Sequence, residues 1–222
     1  MNESKLCDYK NSIIINKASE ICAGAAGEKE IARAIFNYVR DNILFNATMN
    51  IFRKASETIN QKTVDYCNKV NVHLALLKTK GIPARLHYIT IKKIRWKGII
   101  PKFIYKHLPD PIGHYYCECF VNGKWTACEA IYDDAFYQGM VKSRITTKDQ
   151  LPAIDWNGET DLVLFSELIA EDICIYENLD DVIENEIKKY SYPPVWICRM
   201  VDWAVKINSQ MRTNKVRKAG NK

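Results

Sequence analysis

The sequence predicts an α+β fold: one buried helix packed on an antiparallel sheet. Three observations predict it. A helical run of apolar residues spans TVDYCNKVNVHLALLKTKGIPARLHY, residues 63–88, and is stopped by Gly81-Ile82-Pro83. The stretch HYYCECFVNGKWTACEAIYD, residues 114–133, is rich in β-forming residues on either side of Asn122-Gly123, the preferred pair for a two-residue hairpin turn. A length of 222 residues with 47% hydrophobic residues is enough for a real core.

Along the chain, residues 1–27 read as an N-terminal extension. They open MNESKLCDYK, without the charged start, apolar run and cleavage site of a leader. Residues 28–43 read as an amphipathic helix with Ile31, Ile35, Tyr38 and Val39 on one stripe. Residues 44–62 read as a loop with a short helical turn. In the next helix Asp65 is read as the N-terminal cap or a first-turn acid, and Cys67, Val70, Leu74 and Leu77 share a face. ARLHYITIKK then alternates as a strand. Residues 92–110, with Lys92, Lys93, Arg95, Lys97, Lys102 and Lys106 among aromatic and aliphatic residues, read as an ordered basic insertion or lid.

After the hairpin, residues 134–165 read as mixed loop and strand, and residues 166–190 are acidic. Residues 166–222 form a C-terminal extension, with a last helix after Pro193-Pro194. Trp196, Met200, Trp203 and Ile207 make its docking stripe, and a basic tail from Arg212 frays.

The formal charge of +6 is modest and comes with no nucleic-acid-reading module, so no nucleic acid is expected as partner. No apolar run is long enough for a membrane span. The eight scattered cysteines in a chain of this size read as free thiols, which predicts a cytoplasmic location.

The hairpin turn fixes a register. Val121 faces Lys124, Phe120 faces Trp125, and counting outward His114 faces Ile131. Glu129 and Asp133 are then diagonal neighbours of His114 at about 7 Å, within side-chain reach. A slip of one residue would separate them onto opposite faces. A thiol at a helix N-terminus, with a strand histidine backed by a carboxylate, is the arrangement nucleophilic cysteine chemistry needs. Helix end and imidazolium lower the thiol pKa. The carboxylate orients the ring.

Cys117 and Cys119 share a strand face, with Cys128 opposite Cys117. Zinc sites favour tighter Cys-x-x-Cys turns and a fourth ligand, so these three read as small hydrophobes facing the core, with no metal and no cofactor. His73 reads as packing or partly exposed, and His87 and His107 have no evident partner.

The segments DYCNKVNVHLALLKTKGIPARL and GHYYCECFVNGKWTACEA resemble the transglutaminase-like superfamily of cysteine enzymes, which has a papain-like core. KASETINQ and DWNGETDLVL resemble flanking segments of bacterial members, so the likeness covers roughly residues 28–165. Cys67, His114, Gly123 and Trp125 match the family pattern. The family's usual Asp is Glu129 here, four residues after Trp125, and Asp133 is the alternative acid. The resemblance implies a hydrolase or acyltransferase that attacks peptide or amide carbonyls through a thioester on Cys67, with protease or amidase activity ahead of protein cross-linking. His114 would be the acid-base, Glu129 its orienter and Gln61 a candidate oxyanion donor. The alternatives are a biosynthetic acyltransferase or cyclase taking a thioester substrate, and a catalytically silent binding module. Peptide, protein or amide substrates are the implied partners, and the sequence leaves oligomeric state open.

Overall fold

In a computed structural model the chain is described over residues 4–46, 53–100, 102–185 and 195–221. Helices α1 (Ser12–Ile21) and α2 (Glu28–Asn42) precede strand β1 (Leu44–Phe45), the single turn α3 (Ala55–Thr58) and strand β2 (Thr63–Val64), which pairs in parallel with β1. Then come α4 (Tyr66–Thr79), β3 (Ala84–Ile91), a 3-10 turn at Lys93–Trp96, and α5 (Lys102–His107). The hairpin β4 (Ile112–Val121) and β5 (Lys124–Ala127) leads to α6 (Asp134–Lys142), β6 (Ile169–Tyr176), α7 (Leu179–Asn185) and α8 (Val195–Gly220). The main sheet is antiparallel in the order β5-β4-β3-β6. The fold class is the one expected.

α4 begins where the cap predicts. The Asp65 carboxylate accepts the backbone N–H of Asn68 at 3.1 Å, satisfying one of the free donors of the first turn. Gly81 takes φ +77°, a conformation that favours glycine, and so ends the helix. Every residue from Cys67 to Lys78 is buried, so α4 is a central helix and not an amphipathic surface one. Its polar side chains are absorbed by surrounding loops. Lys69 Nζ donates to the carbonyls of Ile131 (2.7 Å) and Arg40 (3.0 Å), and Asn71 donates to the Leu6 carbonyl at 2.9 Å.

One apolar cluster joins α1, α2 and α4 to the sheet through Ile14, Phe36, Leu74, Leu86 and Val121. A second is built by Phe45, Trp96, Ile99, Phe136, Met140 and Val216. The basic insertion is therefore core on one side: Arg95 and Trp96 are buried. The N-terminal extension is packed too. Cys7 is buried, and the Leu6 N–H donates to Asp180 at 3.0 Å.

Two expectations are corrected. Residues 134–142 are helix, not loop or strand, because Asp133 caps α6 by accepting the Phe136 N–H at 3.0 Å, and Phe136, Tyr137 and Met140 bury one face. The basic tail does not fray. α8 continues to Gly220, with Val216 and Arg217 buried. Arg217 holds Asp133 through Nε and Nη2 at 2.7–3.1 Å and donates to the Phe45 carbonyl. Of the docking stripe, Ile207 is exposed, and Trp196, Met200 and Trp203 lie outside the described side chains.

Candidate functional site

Three elements converge beside the N-terminus of α4. β4 supplies His114, the segment after β5 supplies Glu129, and the 3-10 turn after β3 supplies Arg95. The hairpin register is the expected one, with Phe120 opposite Trp125 and Val121 opposite Lys124. The ladder ends at Ala127. The Cys128 N–H still reaches the Cys117 carbonyl at 2.9 Å, and Cys128 then bridges to Leu162. That path carries Glu129 under His114.

His114 Nε2 lies 2.8 Å from Glu129 Oε1. Glu129 Oε2 accepts the Leu164 N–H at 2.5 Å. Arg95 completes a fully buried triangle: Nη2 is 2.8 Å from Glu129 Oε1 and Nη1 is 3.0 Å from His114 Nε2. These contacts compete. A guanidinium can only donate, so Arg95 asks His114 Nε2 to accept, while Glu129 asks the same nitrogen to donate. Burial lowers the His114 pKa, Arg95 lowers it further, and Glu129 works against both. Burial alone would neutralise Glu129, but Arg95 and His114 outweigh it and pull its pKa down to about 2. His114 Nδ1 is buried without a partner.

Cys67 sits on the first turn of α4, 3% exposed. Burial pushes its thiol well above the ordinary range, and the neighbouring Asp65 carboxylate pushes the same way. The cap that starts the helix thus opposes a thiolate. The Tyr115 and Tyr66 hydroxyls lie in range of the sulfur and favour its charge, to a smaller extent. The Tyr66 ring packs on the His114 ring, with centroids 5.3 Å apart. The Tyr66 ring also packs on Trp96 at 5.8 Å and Tyr115 at 5.4 Å.

The structure thus brings His114 and Glu129 together, and it places Cys67 on the first turn of α4 beside Tyr66, whose ring packs on His114. Asp133, the alternative acid, is committed to Arg217 and the α6 cap. Gln61 follows α3 and is turned back onto it: Nε2 donates to the Glu57 carbonyl at 3.1 Å. Arg95 and Tyr66 were missed by sequence reasoning. Arg95 was grouped with the solvated lysines, although its neighbours Ile94 and Trp96 were a signal for burial. One helical step of about 100° separates Tyr66 from Cys67, so a helix boundary alone could not choose between them. His87 also gains partners, Glu118 and Asp172, each at 2.7 Å, and its pKa is raised: burial opposes the charge, and the two carboxylates more than offset it.

A family model described as "Transglutaminase-like superfamily" matches residues 15–130, just over half of the chain. It begins inside α1 and ends just past Glu129. Two solved structures are similar. One is a putative cysteine protease from Cytophaga hutchinsonii, at 17% identity and a TM-score of 0.45, covering 58% of this chain and 39% of that one. The other is a putative protease from Parabacteroides distasonis, at 14% identity and a TM-score of 0.39, covering 56% of this chain and 26% of that one. This chain therefore spans well under half the length of either. No curated protein matches it.

Proposed function

The chain belongs to the transglutaminase-like superfamily, and we propose that it uses this fold as a binding module whose Cys67 thiol is kept protonated by burial and Asp65. In this reading residues 28–165 form the core, flanked by 1–27 and 166–222, and the bound group is a peptide or protein segment. One observation carries it: His114 faces Tyr66 and Arg95, while the Cys67 thiol lies among Asp65, Tyr66 and Tyr115. An attacking cysteine needs a thiolate, and reactive cysteines reach pKa values of about 3.5–7.5 through a cationic neighbour or a helix end. Burial and Asp65 move Cys67 in the opposite direction.

A second reading is favoured by the His114–Glu129 pair at 2.8 Å and by the unpartnered Nδ1. There the chain is a cysteine hydrolase or acyltransferase. Tyr66 swings aside, Cys67 attacks an amide carbonyl, and His114 takes the thiol proton and returns it to the leaving amine. Water or an amine then resolves the thioester.

Iodoacetamide labelling from pH 5 to 9, mapped by peptide mass in wild type and His114→Ala, separates the two. The binding-module reading expects half-exposed Cys174 to label ahead of Cys67, with no effect of His114→Ala on Cys67. Rapid labelling of Cys67 below pH 7, lost in His114→Ala, would establish an activated pair and overturn that reading.

A further inference from the structure

His73, in the middle of the buried helix α4, is 1% exposed, and its Nε2 has no hydrogen-bond partner among the described residues. Leaving a buried polar atom unpaired is costly and uncommon. Thiols face it. A ring nitrogen of His73 and the Sγ atoms of Cys117 and Cys128 all lie within 4.8 Å of one another. A third sulfur, that of Cys119, is 3.8 Å from Cys128 Sγ. All three cysteines are buried at 0–1% exposure.

We propose that His73, Cys117, Cys119 and Cys128 form a structural zinc site that ties α4 to the β4–β5 hairpin. Three thiolates and an imidazole are a soft donor set that suits zinc and not magnesium or calcium. Zn–S bonds of about 2.3 Å and Zn–N bonds of about 2.0–2.1 Å place tetrahedral donors roughly 3.5–3.8 Å apart. The Cys119–Cys128 spacing already has that value. The His73–Cys117–Cys128 group needs a contraction of at most about 1 Å, and Cys119, which touches the group through Cys128 alone, must turn its sulfur in by side-chain rotation. Four protein donors close the coordination sphere, which makes the site structural rather than catalytic.

Before metal enters, Cys128 Sγ donates to the Cys117 carbonyl at 3.3 Å. Binding one Zn²⁺ breaks that hydrogen bond and releases three thiol protons to solvent, leaving the site with one net negative charge. The donors come from three elements, α4, β4 and the segment after β5. No tight Cys-x-x-Cys turn marks them in the sequence. The consequence is mechanical. The ion fixes α4 against the strand that bears His114, so it holds Tyr66 and His114 in register whichever function the fold performs.

The full chain, purified without chelator, is analysed by inductively coupled plasma mass spectrometry. It is also refolded with Co²⁺ as a spectroscopic probe. The site predicts one zinc per chain, and for cobalt a thiolate charge-transfer band with tetrahedral visible bands. His73→Ala and Cys128→Ser should each lower zinc content at least tenfold, and Cys22→Ser should not. If those variants fail to fold, the wild type still decides: its melting temperature after refolding should be higher with zinc than with chelator. Metal-free protein whose melting is indifferent to zinc and shows no cobalt band would overturn the proposal. So would zinc retained equally by both variants, or a Cys119–Cys128 disulfide in the native protein.

Discussion

Arg95 decides the electrostatics beside His114. It neutralises a carboxylate that has no solvent contact, and it holds the imidazole nitrogen that the same carboxylate uses. Removing one member of a buried ion pair strands the other, at about 3–5 kcal/mol. Arg95→Met is therefore expected to lower unfolding free energy by that amount in urea titrations. The double variant Arg95→Met/Glu129→Met, which strands no charge, should recover most of it. A single variant as stable as wild type would mean that Glu129 is neutral in the fold. Tyr66 offers a complementary test. Its ring packs on His114, so Tyr66→Cys puts a second thiol at the position whose side chain meets the imidazole. That thiol should alkylate faster than Cys67 at pH 7 in peptide mapping. Equal, slow labelling at both positions would show that His114 does not activate a facing thiol, consistent with the downward push of burial and Arg95.

At the scale of elements, α4 and the β4–β5 hairpin were legible because their signals are local. Asp65, Gly81 and Pro83 bound the helix, and Asn122-Gly123 sets the register that carries His114 to Glu129. α6 and the end of α8 were not legible because they depend on partners far away in sequence. Asp133 looked like a spare acid for His114, and Arg217 looked like part of a frayed tail. Together they form a buried pair that stabilises both helices. The crossing of these helices is close. Gly139 and Gly220 are the contact points, and a Cβ on Gly139 would run into the Val216 carbonyl. Backbone cannot yield as a flexible side chain does, so Gly139→Ala should destabilise by about 1–3 kcal/mol, the range for overpacking. Hydrogen exchange is the sharper readout. Protection should fall first in residues 206–220 of α8, while α4 keeps its protection. Uniform loss across both helices would mean that the crossing does not act as a separate unit.

For the whole molecule, buried charge determines how the fold meets acid. Glu129 has an ordinary pKa of 4.5 and is drawn down to about 2 by Arg95 and His114 against the pull of burial. Between those values the unfolded chain binds a proton that the folded chain refuses. The stability Glu129 contributes is thus fully present above pH 4.5 and is lost as pH falls toward 2. At 1.36 kcal/mol per pKa unit the loss amounts to about 3 kcal/mol. Asp65 acts with the opposite sign. Burial raises its pKa from 3.8 to about 6, against its hydrogen bonds to Asn68, so its contribution is present below 3.8 and fades as pH rises through 6. The two windows barely overlap, which makes the acid limb separable. Unfolding free energy measured in urea at pH 6, 4.5, 3.5 and 2.5 should drop steeply over the last three points in wild type. Glu129→Gln should be less stable than wild type at pH 6, because Arg95 is then buried without its counter-charge. Its curve should run shallower below pH 4.5, closing the gap as Glu129 in the wild type takes up its proton. Parallel curves across the whole range would mean that Glu129 does not titrate on unfolding, and that the Arg95–His114–Glu129 triangle is held by geometry alone.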